Sequence, residues 1–387
     1  MKKEEATYWI ALAHLPRWGH LKINNLIIKF FHENKITIEE FFQLNESDWR
    51  NQYQLDEKQV LDLKQAKSEL ASNAFLAESY FSQGFEIIPI TSPEYSRTLK
   101  DNLKATYAPA VLYVKGNKKI LEEKSIAIVG SRDASENALR FTDNIAKLAS
   151  KEYKVVVSGF AKGVDKQALD SAINYKGQSV IVLPQGIMTF SSGFKNYYKQ
   201  IIDGDVLVLS TFHPKAGWSA GLAMARNPII YGLANEIYVA ESAEKGGTWS
   251  GVVDGLRKGR TIFVRKPEPN EKNANHKLLE LGAIAVEIDG QNADINIDCR
   301  SQIPDNPVIN DVKEGKNLYE NRNIEKEILE FLQTGYYTPK EIILRLKLDW
   351  EIKKLSNYLK NNTNIKKVVG KPTKYTITEI ISPTLFD

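Results

Sequence analysis

The sequence predicts an α/β protein whose centre is an open, doubly wound parallel sheet, with a helical domain before it and a smaller helix-and-hairpin domain after it. Short apolar runs without polar alternation, the pattern of strands buried on both faces, recur from residue 126 to residue 286. Helical stretches separate most of them, and that alternation makes a parallel sheet with helices on both faces. Two of the runs fall within residues 125–165, and each ends in a glycine turn.

Residues 1 to about 75 read as wholly helical, with turns at Pro16-Arg17-Trp18-Gly19 and around Asn34-Lys35. Leu21, Ile23, Leu26, Ile27, Phe30 and Phe31 make one apolar face, and Ile38, Phe41, Phe42 and Leu44 another. This helical domain is placed at 1–78. From Gly84 the texture changes, and residues 87–90 and 111–114 read as strands around a proline-punctuated connection, an extension leaning on the main sheet. The run 126–129 is closed by Gly130-Ser131-Arg132. Residues 136 to about 151 then place Leu139, Ile145, Leu148 and Ala149 at helical spacing, and 154–157 forms a second strand ended by Ser158-Gly159. Further strands are expected at 179–183, 206–209, 237–240, 261–264 and 284–286, with helices at 166–175, 218–233 and 249–258. The sheet domain is placed at 79–290.

The polar stretch that follows, carrying Pro304 and Pro307, reads as a linker over 291–317. Beyond it, Ile324, Ile328, Leu329, Phe331 and Leu332 mark a helix. Thr338-Pro339-Lys340-Glu341 is a capping box with proline at the first helical position, and Asp349 can cap a third helix over 350–361. Strands at 365–369 and 375–377 are joined by Gly370-Lys371-Pro372-Thr373. Three helices and a terminal hairpin over 318–381 fit a winged helix. Lys353, Lys354, Lys360, Lys366, Lys367, Lys371 and Lys374 would suit a phosphate backbone, although such folds also serve as protein-contact modules.

With 387 residues, 42% hydrophobic and 26% charged, the chain is long enough for two or three domains and reads as soluble and globular. A net charge of +4 permits nucleic-acid binding without requiring it. The single cysteine, Cys299, excludes an intramolecular disulfide framework and a cysteine-based zinc site. His14, His20, His32, His213 and His276 show no metal-ligand spacing, so no metal is expected. The N-terminus lacks the apolar core of a signal peptide and no membrane-length apolar run occurs, so a cytoplasmic protein without a membrane partner is expected.

Parallel strands joined by a right-handed crossover end at the same sheet edge, so the turns after residues 129 and 157 lie side by side near a helix N-terminus. Gly130, Ser131, Arg132 and Ser135 belong to the first turn; Ser158, Gly159, Lys162 and Gly163 belong to the second. Their amides, a helix N-terminus and the Arg132 guanidinium suit a phosphate. Glycines also serve tight turns alone, and the pairing of two such turns, one with Arg132 and one with Lys162, favours the phosphate. Gly246 and Gly247 follow a predicted strand at the same edge, Arg226 and Asn227 can reach that edge from the small-residue stretch 220–232, and Lys195 and Lys199 are further cationic candidates. Nicotinamide binding is excluded by detail: the first turn has one glycine where three are needed, and the second strand lacks the acidic residue that holds a ribose. No P-loop is present. No cofactor is therefore expected.

Together these segments resemble the DNA-processing protein A family, also called Smf. IAIVGSR at 126–132 with Ser135, VVSGFAKGVD at 156–165, GQSVIVLPQGI at 177–187, RNPIIYGLA at 226–234, VAES at 239–242 and KGRTIFV at 258–264 stand in the family's order. The resemblance implies an extended Rossmann-like domain with an N-terminal helical (SAM/helix-hairpin-like) domain and a C-terminal winged helix. It further implies a non-enzymatic homodimer that binds single-stranded DNA and hands it to the RecA recombinase during natural transformation. By position it places DNA phosphate at Gly130, Ser131 and Arg132, with Ser158, Gly159 and Lys162 beside them and Arg226, Asn227, Gly246 and Gly247 lining the same pocket. The sequence departs from the family at Ala168-Leu169, where Ala-His is usual, at Ser210-Thr211, at Asn227-Pro228 and at Gly246-Gly247-Thr248. The alternative is a nucleotide sensor or phosphoribohydrolase-like enzyme on a related sheet, since residues 245–251 partly resemble that group's loop, with Asp254 nearby in place of its glutamate.

Overall fold

The computed structural model describes residues 3–291 and, beyond them, residues 328, 332, 337–346, 355, 356, 358, 359, 365–368 and 374–377. The chain forms two compact units, Met1–Pro307 and Val308–Asp387.

The first unit begins with six helices: α1 (Lys3–Ala13), α2 (His20–Ile27, continued by a π-helical stretch Ile28–Glu33), α3 (Ile38–Gln43), α4 (Glu46–Asn51), α5 (Glu57–Ser68) and α6 (Leu70–Ser82). Local chemistry starts three of them. Thr37 with Glu40, Asn45 with Asp48, and Asp56 with Gln59 each form a reciprocal capping box, which satisfies the amide donors that a helix leaves open. Trp9, Phe30, Phe41 and Trp49 are buried between the helices, and their core continues without a break into Tyr113, Ile181 and Val208 of the sheet. The indole nitrogen of Trp49 donates to the Phe41 carbonyl at 3.0 Å, so its burial leaves no donor unsatisfied.

The sheet follows as β1 (Glu86–Pro89), α7 (Arg97–Tyr107), β2 (Val111–Lys115), β3 (Ser125–Gly130), α8 (Glu136–Lys151), β4 (Val155–Ser158), α9 (Val164–Asn174), β5 (Ser179–Val182), α10 (Ser191–Asn196), α11 (Tyr198–Asp203), β6 (Val206–Ser210), α12 (Ala220–Leu233), β7 (Glu236–Glu241), α13 (Gly247–Arg257), β8 (Ile262–Arg265), α14 (Asn275–Glu280) and β9 (Ile284–Val286). Its order is β1-β2-β6-β5-β4-β3-β7-β8-β9. The seven strands from β6 to β9 are parallel. β2 joins β6 and β1 joins β2 in antiparallel fashion, so the expected extension becomes the sheet's edge. The parallel strands are buried on both faces, which explains their unbroken apolar runs.

On α8 the buried face is Ala138, Phe141, Thr142, Ile145, Ala146 and Ala149. The sequence had placed Leu139 and Leu148 on that face; Leu139 is half-buried and Leu148 is exposed. Phe141, with Ala138 and Ile145 at i−3 and i+4, sets the stripe because the largest ring takes the deepest position.

In the second unit, α15 (Pro339–Arg345) starts at the Thr338–Glu341 capping box, and β10 (Ile365–Val368) pairs antiparallel with β11 (Lys374–Ile377). Ile328, Leu332, Ile342, Leu355, Leu359, Ile365 and Tyr375 form its core. The linker expected at 291–317 lies outside the described residues except for Gln291, as do Lys353, Lys354, Lys360 and Lys371.

Candidate nucleic-acid interface

From β3 the chain steps to β4, β5 and β6 in one direction, then returns to place β7 on the other side of β3. The order reverses between β3 and β7, and such a reversal leaves a crevice at the carboxyl ends of the strands. The turns after β3, β4 and β7 all meet there. A bulge at the end of the β3–β7 pair sets Gly130 opposite Glu241. Ser131 N–H then donates to the Glu241 carbonyl at 2.9 Å, and Val164 N–H donates to the Ser131 carbonyl at 3.2 Å. The Thr248 hydroxyl donates to the Gly130 carbonyl at 3.2 Å. Gly163 makes the approach feasible: its φ is +83° and a Cβ there would stand 2.4 Å from the Ser131 carbonyl oxygen.

Beneath the turns lies a buried ion pair. Asp165, in the first turn of α9, accepts the amides of Gly159 and Ala161 and faces Arg226 Nη1 at 3.6 Å. Arg226 is only 4% exposed, and its Nε and Nη1 have no hydrogen-bond partner. Burial pushes the Asp165 carboxyl above its ordinary range against the pull of Arg226 and the two amides, and burial lowers Arg226 against the pull of Asp165. The guanidinium lies on Gly159, where a Cβ would be 1.1 Å from Nη1. The pair therefore pins the turn after β4 against α12, and Arg226 supports the rim from below. Asn227, next along α12, packs its amide against Gly247, where a Cβ would meet Nδ2 at 2.5 Å.

The structure thus brings together Gly130, Ser131, Arg132, Ser135, Ser158, Gly159, Lys162, Gly163, Arg226, Asn227, Gly246 and Gly247, but divides them by task. Arg132 and Lys162 are exposed. Lys162 stands 3.5 Å from the equally exposed Asp133, a pair that water screens almost fully. Ser158 is buried and donates to the Asp165 carbonyl at 3.2 Å, so its hydroxyl belongs to the turn. Ser135 caps α8 by accepting the Ala138 amide, while its own amide and hydroxyl both donate to the Glu241 carboxylate. A carboxylate of the chain itself therefore occupies the N-terminus of α8.

This corrects the expected means of anion binding. The amides of Ser131 and Ser135 are taken by Glu241 and those of Gly159 and Ala161 by Asp165. Turned outward instead are the side chains of Arg132, Lys162 and Lys245, and the start of α13, which Gly246 opens at φ +99° without a side-chain cap.

Lys195 and Lys199 are exposed on α10 and α11, and Phe190 and Tyr197, which flank α10, pack on Phe160 in the turn after β4. Tyr198 and Ile201, which flank Lys199, line a cleft of about 480 Å³ with Lys115, Gly116 and Gly204 at the start of β6, the opposite edge of the sheet. Asp254, the carboxylate weighed for glycosidic hydrolysis, pairs with Lys258 along α13 at 2.7 Å. Among the described residues no group of three or more His, Cys, Asp or Glu is arranged to hold a metal, and no helix is long and apolar enough to cross a membrane. Sequence reasoning gave no role to Asp165 or Glu241, although both lie inside the quoted motifs; each sits where a tight turn leaves amides to satisfy.

Comparison with known proteins agrees with this architecture. The family described as DNA recombination-mediator protein A matches residues 86–295. The DNA processing protein DprA of Streptococcus pneumoniae is 31% identical over 157 residues, 41% of this chain and 55% of that protein. The chain thus spans about half the length of that relative. The DNA processing protein DprA of Bacillus subtilis is 28% identical over 218 residues, 54% of this chain and 70% of that protein. The solved DNA processing protein A from Streptococcus pneumoniae shares the fold at a TM-score of 0.59 and 24% identity, covering 74% of this chain and 95% of that one. Since the family match takes in more than half of the residues and coincides with the sheet whose rim is described above, the chain belongs to the DNA recombination-mediator protein A family, the DprA/Smf proteins.

Proposed function

We propose that the protein is a non-enzymatic DNA-processing protein that binds single-stranded DNA at the rim formed by the turns after β3, β4 and β7. One observation carries the reading: Arg132 and Lys162 stand exposed on turns that backbone bonds and a buried ion pair hold rigid. Cations fixed on a rigid rim meet a sugar-phosphate chain without consulting its sequence and without ordering the protein at the moment of binding. Within this reading the protein acts in the cytoplasm as a homodimer and assists loading of a RecA-type recombinase in transformation or recombination. Residues 1–78 and a winged helix at 318–381 act as domains auxiliary to the sheet domain at 79–290.

Fluorescence anisotropy with labelled oligo-dT tests the central claim. Arg132→Ala is expected to weaken binding at least tenfold, the loss of one charge-assisted contact of about 1.5–3 kcal/mol. Equal affinity for single- and double-stranded DNA would refute a preference for single strands, and no binding of oligo-dT would refute the reading itself.

A further inference from the structure

We infer that Trp218 is a stacking platform for an unpaired base of the strand whose backbone crosses the Arg132–Lys162 rim; this rests on the single-strand reading above and goes beyond it by naming a base-contacting residue. α12 runs antiparallel to the strands. Its last residues adjoin the start of β3, where Ser125 Oγ donates to the Leu233 carbonyl at 2.6 Å, and Arg226 lies level with Gly159 at the rim. Arg226 is six steps along α12 from its first residue, Ala220, about 9 Å at 1.5 Å per residue, so the start of the helix projects beyond the rim. Trp218 stands at that projecting end and is 59% exposed.

An indole so exposed is normally mobile, but the backbone on either side of this one is fixed. Two residues before it, the Ala216 carbonyl accepts the Gly186 amide at 2.8 Å and the Thr189 hydroxyl at 3.2 Å. One residue after it, Ser219 caps α12 by accepting the Leu222 amide at 3.1 Å. The exposed ring is therefore carried on a backbone anchored on both sides. Met224, 49% exposed, continues the surface back to the Gly247 turn, where a Cβ would lie 3.4 Å from its Sδ.

Charge selects the occupant. The chain has no acidic residue between Asp205 and Glu236, while Lys215 is exposed three residues before Trp218. An aromatic face on an anion-tolerant ledge, joined to a cationic rim, fits unpaired bases, every one of which offers a π-face. A paired base is closed to it, because its faces are already stacked in the duplex.

The test uses the full-length protein with two oligonucleotides of equal length and charge, oligo-dT and its abasic counterpart, read by anisotropy. Trp218→Ala is expected to weaken oligo-dT binding about tenfold, the scale of losing one stacked base, and to leave abasic binding unchanged. Trp218→Phe should retain most of the affinity, and oligo-dT is expected to quench the intrinsic fluorescence of the unmutated protein but not of this variant. Undiminished oligo-dT binding by Trp218→Ala, or an equal loss on both oligonucleotides, would overturn the inference. If Arg132→Ala still weakens binding in that case, the backbone reading survives; if it does not, that reading fails as well.

Discussion

Glu241 sets the electrostatic character of the rim at the level of a single residue. Its carboxylate sits at the positive end of α8, bonded to Ser135, in the position an anionic ligand would otherwise take. It stabilises the empty protein and repels a phosphate at the same time. Glu241→Gln is expected to tighten oligo-dT binding several-fold, and unchanged or weaker binding would show that the strand passes elsewhere. His14 offers a separate residue-scale test, this time of stability. It is half-buried, paired with the Tyr113 hydroxyl at 2.8 Å, and desolvation, aided by His213 and His20, lowers its pKa from 6.5 to about 3. Between those two values the unfolded chain binds a proton that the folded protein refuses, so stability falls as pH drops below 6.5, by up to about 1.4 kcal/mol per pH unit. His14→Phe should flatten that part of the Tm-versus-pH profile; an unaltered slope would assign the acid loss to other groups.

The helices α12 and α13 hold the rim at the next scale up. α12 carries both the Arg226 support and the Asn227 contact to Gly247, and it packs on α13 through Tyr231. Gly251 allows that packing, since a Cβ on it would lie 2.6 Å from the Tyr231 ring. Gly251→Ala is expected to cost about 1–3 kcal/mol through overpacking and to weaken oligo-dT binding by shifting the start of α13. Thermal denaturation and anisotropy on the same sample check both halves, and a variant as stable as the parent would mean the helices can slide apart freely. Pro228 lies inside α12 two residues past Arg226, and its missing amide leaves the Met224 carbonyl without its helical partner.

For the whole molecule the modest net charge matters less than its placement. If DNA binds as proposed, exposed cations collected at one sheet edge would make binding depend on salt in proportion to the phosphates they touch, with a slope near −0.7 per contact for a single strand. Replacing both Arg132 and Lys162 by Ala should therefore reduce the slope of log affinity against log salt by about 1.4, and a slope equal to that of the parent would remove them from the contact surface.

Strand positions, the crossover helices and the cap of α15 were legible in the sequence, because each is written in a local pattern: an unbroken apolar run, a helical period, a Thr ahead of the helix. The rim residues Gly130, Arg132, Gly159 and Lys162 were legible too, since topology brings successive strand ends together. What only the tertiary structure decided was which of them face outward. Ser158 and Arg226 turned inward, amides expected to meet a ligand turned to Asp165 and Glu241, and Trp218 emerged as an exposed ring. The reason is physical: a local pattern reports what the backbone prefers, whereas the direction of a buried donor depends on which acceptor, distant in sequence, packing has delivered beside it.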